Sequence, residues 1–326
     1  MHIPDGLMDP KIALLGWVEF LFVIAGAMWF ARKSVKDKDL PRVALLCAGI
    51  FVAQMVNFPV GGGTTGHLIG GTLFAVLVGP ATAIVGMTVV ILIQALMFGD
   101  GGITSFGLNA LNMAVIAPLM GWGTYTLIAQ MVGNERGESK WIALATGAWA
   151  SVFVASAACA AELSVSYAVS GGSYGIGATI SVPAILGYHA VIGIGEALIT
   201  VGVMAYLSHV APDAFILTRK VARGKGSWTD FLHRPTARAA LAILLVFALA
   251  LPLYLIYASD GRDGLEQTMA TAGTGSDQPF LEAPFSYGEG FFAMFFAGVL
   301  GFLLVALLAI GVMRLLGMGR QWIERT

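Results

Sequence analysis

Apolar residues in this chain fall in long, nearly unbroken runs separated by short polar stretches. Runs long enough to cross, or nearly cross, a ~30 Å hydrocarbon core lie at about 11 to 31, 42 to 58, 66 to 79, 81 to 98, 107 to 131, 141 to 169, 181 to 209, 238 to 258 and 288 to 316. They predict an all-α, polytopic integral membrane protein of about nine transmembrane helices. The third run is short and follows the glycine-rich stretch Gly61 to Gly66, so it reads as a broken or tilted helix. Irregular backbone survives at membrane depth only where protein shields it or where it lines a cavity. That places the stretch in the interior or at the outer mouth. A polar, basic connection then divides seven helices from a final pair. The organisation predicted is a seven-helix body over 1–210, a cytoplasmic linker over 211–237 and a two-helix module over 238–326. The outer loop of that module, 259–287, carries Asp260, Asp263, Glu266, Asp277 and Glu282.

Composition agrees with the pattern. At 57% hydrophobic, 11% charged and a mean hydropathy of +0.82, the 326 residues have too few polar groups to coat a soluble globule. The 42 glycines let transmembrane helices approach closely. Charge then orients the helices. Of the 18 Lys and Arg residues, all but Lys11 and Arg262 fall on one side when connections alternate across the membrane. The positive-inside bias makes that side cytoplasmic, with the N-terminus outside and the C-terminus inside. Cys47 and Cys159 stand singly in apolar runs and read as packing residues.

The first residues are Met1-His2-Ile3-Pro4-Asp5-Gly6. With Met1 read as the free terminus, three nitrogens lie within two residues: the Met1 amine, the His2 amide and His2 Nδ1. They can close fused chelate rings around one ion and leave a single in-plane position open. Planar nitrogen coordination favours Ni(II) or Cu(II) and admits Co(II). Pro4 fixes the backbone behind the clamp, and Asp5-Gly6 suits a turn that folds the terminus back. Asp5 is placed either to orient an imidazole or simply to form that turn.

His67 is the candidate fourth ligand. It lies on the same side of the membrane as His2, follows Asn57-Phe58-Pro59-Val60 and the glycine stretch, and begins His67-Leu68-Ile69-Gly70-Gly71. A lone His at a helix start is more often a capping or packing residue, but here crowded backbones form a pocket that an inserted terminus could enter. Asn109 and Asn112, at the outer end of the fifth helix, are placed to hydrogen-bond either such a segment or neighbouring helices. His189 and Glu196 share one face of the seventh helix, and intramembrane ionisable groups ask for a function by default. The reading preferred for both is stabilisation of helix packing, with Glu162 a similar case. The chain has no G-x-x-x-x-G-K-[ST] phosphate loop and no H-E-x-x-H helix, so no ATPase or zincin centre is expected.

Together, Met1 to Gly6, Asn57 to Gly71, Phe106 to Ala114 and Gly187 to Glu196 resemble the nickel/cobalt substrate-capture M component of energy-coupling factor transporters. The resemblance spans about residues 1 to 210. It implies that a seven-helix component inserts its own N-terminus and binds Ni(II) or Co(II) as substrate through the Met1 amine, the His2 amide and imidazole and the His67 imidazole. Asp5, Asn57 and Asn109 would support those ligands. The final helix pair resembles the small N component, here fused behind the M component. Its outer loop usually holds Pro-Asp-Gly-Leu-Glu, where this chain has Arg262-Asp263-Gly264-Leu265-Glu266. The resemblance further implies a membrane-embedded coupling T component, a pair of cytoplasmic ATPases, and residence in the lipid bilayer of a bacterial cytoplasmic membrane. No nucleic-acid partner is expected.

Three activities compete at this point. An importer subunit without its own ATPase fits a four-nitrogen clamp that holds one ion, with nickel favoured by the planar geometry. A stand-alone divalent-metal channel or secondary transporter is the alternative, although a channel needs weak, multi-site binding and fast exit. A metalloenzyme needs an open coordination position and a general base, which a filled square plane does not offer.

Overall fold

The computed structural model describes residues 1–35, 39–61, 64–132, 138–210, 262–275, 279–288 and 291–323. Helix α1 (Pro10–Ser34) opens with Pro in its first turn, and Asp9 accepts a hydrogen bond from the Lys11 N–H at 2.8 Å. After α2 (Leu40–Gln54) the chain leaves helical geometry for a hairpin, β1 (Asn57–Gly61) and β2 (Thr64–His67). Then come the short α3 (Gly71–Val78) and α4 (Pro80–Phe98). A continuous helical rod follows: α5 (Phe106–Ala110), a π-helical segment (Leu111–Ile116) and α6 (Ala117–Val132). Two long helices, α7 (Glu138–Val169) and α8 (Ala178–Val210), complete the body. The C-terminal part contributes β3 (Arg262–Asp263), α9 (Gly264–Ala272) and α10 (Phe291–Ile323).

Six of these helical stretches among the described residues are long and apolar enough to cross a membrane. The pillar of the bundle is α4, whose apolar window is 72% buried, against 22% for α1 and 28% for α10. The outer helices present Phe22, Leu198 and Leu307 outward, as a bilayer-facing surface requires. The expected helical runs are observed, except that the run 238 to 258 and the linker 211–237 lie outside the described residues. Cys47 and Cys159 are both fully buried.

The third run departs from a simple span. Only eight residues of it are helical, and its start is strand. Gly70 adopts φ +75°, and a Cβ there would meet Ile50 Cδ1 at 2.7 Å. Only glycine makes that left-handed turn without strain. The hairpin pairs Asn57 with His67 and Pro59 with Thr65, and β3 adds in parallel, Thr65 opposite Asp263. This small sheet is absent from the all-α reading. It forms because Pro59 and the glycines exclude a helix there, and because pairing satisfies backbone groups shielded from water. Close helix contacts rest on small residues, as where Gly107 meets the backbone of Gly16 and Trp17. Gly171 to Gly175 matches G-x-S-x-G in letters, but it forms the turn between α7 and α8 rather than a strand-to-helix elbow.

Candidate metal centre

The first nine residues are threaded into the protein. Ile3 is fully buried, and Asn109 clamps its backbone: the Ile3 N–H donates to Asn109 Oδ1 at 2.8 Å, and Asn109 Nδ2 donates to the Ile3 carbonyl at 3.0 Å. The Gly102 N–H donates to the same carbonyl at 2.9 Å. Asp5 accepts from the Thr104 N–H at 2.8 Å, the Thr104 hydroxyl at 2.6 Å and the Phe280 N–H at 3.0 Å. Burial would raise the Asp5 carboxyl, but these hydrogen bonds outweigh it and hold it below the usual carboxylate range. Gly6, at φ +78°, turns the chain, and the Leu7 carbonyl accepts from the Gly175 N–H at 2.7 Å.

Threading brings residues 65 positions apart into contact. The His2 and His67 rings stack with centroids 5.2 Å apart and planes at 16°. Met1 and His67 line one small cavity with His189, Ile192 and Asp263, with room for about one water molecule. His67 ends β2, and its Nδ1 lies 3.0 Å from the Leu68 carbonyl. A carbonyl only accepts, so Nδ1 carries the proton and Nε2 carries the lone pair. Burial, aided by the positive terminus and His2, pushes the His67 pKa down to about 4. The ring is therefore neutral and fit to ligate.

Two carboxylates hold the other donors. His2 Nδ1 lies 2.9 Å from Asp100 Oδ1, and the Met1 ammonium lies 3.5 Å from Asp263 Oδ2. The remaining ring nitrogen of His2, Nε2, is buried and has no hydrogen-bond partner among the described residues. Burial opposes charge at both carboxyls. At Asp100 the His2 and His67 imidazoles and the Tyr287 hydroxyl, 3.1 Å away, overcome it, so the group sits well below the usual carboxylate range. At Asp263 the terminal ammonium and the Glu266 N–H do the same. The β2–β3 pairing is what carries Asp263 to Met1. Asp263 also caps α9, in a reciprocal box with Glu266.

The supporting residues divide. Asn109 binds the inserted segment, whereas Asn112 turns to α7, donating to Glu162 at 2.7 Å. Asn57 stands opposite His67 in the hairpin register. Asp5 laces the terminus to Thr104 and Phe280, and the carboxylate against the imidazole is Asp100. His189 and Glu196 do face the same region, but they do not bond each other: His189 Nδ1 bonds the Ile185 carbonyl at 2.8 Å, and Glu196 accepts from Ile69 and Gly70. Sequence reasoning missed Asp100 and Asp263. The signal for Asp100 was its position at the outer end of a span, between Gly99 and Gly101, on the same face as His2.

Residues 2–214 match the family model described as the cobalt uptake substrate-specific transmembrane region, CbiM. The chain belongs to this family. A Haloquadratum walsbyi member whose name ascribes metal transport to it is 38% identical over 213 residues, which are 65% of this chain and 92% of that one. The probable fused nickel transport protein LarMN of Lactiplantibacillus plantarum is 33% identical over 270 residues, 78% of this chain and 75% of the relative. This match runs past the CbiM region, so the chain is of the fused type. A crystal structure of a transition metal transporter superposes with a TM-score of 0.59 at 37% identity, covering 64% of this chain and 93% of that one. As a CbiM-family protein, the chain is a multi-pass membrane subunit of metal uptake.

Proposed function

We propose that the protein captures divalent nickel or cobalt, with nickel preferred, as the substrate-binding subunit of an energy-coupling factor importer in a bacterial cytoplasmic membrane. The observation that carries this reading is that the His2 ring stacks on that of His67, which lines a cavity of single-ion size together with Met1. The ion is held in a square plane by the Met1 amine, the deprotonated His2 amide, His2 Nδ1 and His67 Nε2. In the resting geometry two of those donors are occupied, Met1 by Asp263 and His2 Nδ1 by Asp100. Loading therefore exchanges two carboxylate contacts for two metal bonds and releases protons. The freed carboxylates stay beside the ion and balance its charge, which offsets the cost of burying a cation.

The N-terminus and the site face outside and the C-terminus faces the cytoplasm, on the strength of the sorted basic residues. Residues 1–210 act as the M component and 238–326 as the N component, joined by the 211–237 linker. The name of the LarMN relative supports a fused, nickel-directed chain. CbiM of Thermosynechococcus vestitus, named for cobalt transport, keeps cobalt open as a second substrate. Energy comes from a coupling T component and a cytoplasmic ATPase pair, since this sequence carries no phosphate loop.

The test is competitive titration of the purified protein with Ni(II) and Co(II), read by visible absorption, beside His67→Ala. One ion per chain and a planar-nickel band are expected of the wild type, and weakened binding with a shifted band of the variant. Equal binding by both proteins refutes the site.

A further inference from the structure

His67 can be no better placed than the backbone that carries it, and that backbone has a support from far along the chain. Glu196, fully buried in the middle of α8, accepts from the Ile69 N–H through Oε2 and from the Gly70 N–H through Oε1, both at 2.7 Å. These amides immediately precede α3, where a helix leaves donors without intrahelical partners. At this depth a carboxylate supplies what water cannot, and two charge-assisted bonds to one carboxylate also fix its direction.

The geometry makes a closer link than support alone. The Ile69 N–H belongs to the same planar peptide group as the Leu68 carbonyl. That carbonyl is the partner of His67 Nδ1, at 3.0 Å. Glu196 therefore grips one end of a rigid amide whose other end grips the imidazole. A carboxylate behind a metal-binding imidazole fixes its tautomer and ring orientation and raises its basicity. Here one peptide group stands between the two, and hydrogen bonds in such a chain polarise one another. The next peptide is pinned from the opposite side: the Ile69 carbonyl accepts from Gln54 Nε2 at 2.7 Å, and Gln54 Oε1 accepts from Gln94 Nε2 at 2.8 Å.

We infer that Glu196 is the positioning residue for His67, acting on the imidazole through the Leu68–Ile69 peptide group so that Nε2 is aimed and its lone pair kept available for the ion. The inference rests on the metal-site reading above. In this role the single buried acid of α8 is no general packing group, because its effect on metal runs through His67 alone.

The test is Ni(II) titration with visible absorption on wild type, His67→Ala, Glu196→Gln and the double variant. Glu196→Gln keeps the volume but turns an NH₂ group toward one of the two amides. It should weaken nickel binding roughly 10- to 100-fold and move the planar band toward that of His67→Ala. In the His67→Ala background it should change affinity less than about twofold, because effects that pass through one residue are not additive. Binding within about twofold of wild type, or equal weakening in both backgrounds, overturns the inference. If His67→Ala itself binds like wild type, the site reading has failed; if His67→Ala is weak and Glu196→Gln is normal, only the role of Glu196 has failed. Should Glu196→Gln not accumulate in the membrane, Glu196→Asp carries the same comparison, since it keeps the charge and withdraws it by one methylene.

Discussion

Asn109→Leu removes the clamp on the inserted terminus while nearly keeping the side-chain volume. The wild-type Ile3 N–H, fully buried, has Asn109 Oδ1 as its acceptor, and the Ile3 carbonyl has both Asn109 Nδ2 and the Gly102 N–H. The substitution therefore strands one buried donor, at about 1–3 kcal/mol, and removes a second bond whose acceptor keeps a partner, at about 1 kcal/mol. The sum, about 2–4 kcal/mol, falls on the inserted state alone, because a withdrawn terminus offers Ile3 to water. If insertion assembles the metal site, loss of the inserted population weakens apparent affinity in proportion. At about 1.4 kcal/mol per tenfold change, the ratio of inserted to withdrawn terminus falls roughly 30- to 700-fold, and apparent affinity falls with it once the withdrawn state predominates. The assay is Ni(II) titration of detergent-purified wild type and Asn109→Leu by calorimetry, with circular dichroism to show that the helices persist. Binding within about threefold of wild type by a variant whose terminus has become protease-sensitive, with helices intact, refutes the claim that insertion and binding are one event.

Three further outcomes follow from the same geometry. Gly102→Ala would drive a Cβ into the Asp5 backbone and carboxylate, so it should expel the terminal segment and abolish Ni(II) binding, checked by titration beside protease sensitivity of the terminus. Asp263→Ala removes the carboxylate paired with the Met1 ammonium, and the terminal amine should then react faster with an amine-directed label in metal-free protein, measured by mass spectrometry. The pH dependence has a definite sign. His67, with its pKa pushed down to about 4, is already neutral at pH 5 to 7 and gives up no proton there, whereas the Met1 ammonium and the His2 amide must each lose one. Affinity should therefore fall as pH drops. Proton release measured calorimetrically in buffers of different ionisation enthalpy should lose no proton when His67 is replaced by Ala; a loss of one proton refutes the neutral His67.

The long apolar runs reveal the helices because a span needs little beyond length and hydropathy. Alternating sides of the membrane then put His2 and His67 on one face, and the structure brings the rings together. Asn109 and Asn112 show the limit of such reasoning. Both expectations attached to the pair occur, one in each residue: Asn109 bonds the terminus and Asn112 bonds Glu162 of a neighbouring helix. Helical spacing gives the face but not the partner. Asp100 and Asp263 were illegible for a related reason. Their contacts span about 98 and 262 positions, and the second depends on a two-residue strand whose pairing no local pattern announces. For Glu196, a seven-residue spacing suggested His189 as its companion, whereas the decisive partners are two backbone amides, which sequence does not mark.

The central claim is that the amine of Met1 is itself a ligand, and it is tested most directly by adding one residue ahead of Met1. Ni(II) titration of the protein with its terminus at Met1, beside the protein extended by a single glycine, separates the possibilities. Met1 is buried, and the cavity beside it holds about one water, so the added residue has no room and the amine moves out of the plane. The account predicts one ion bound with a planar-nickel spectrum by the first protein and none by the second, at equal helix content. Equal binding and equal spectra in both would contradict it.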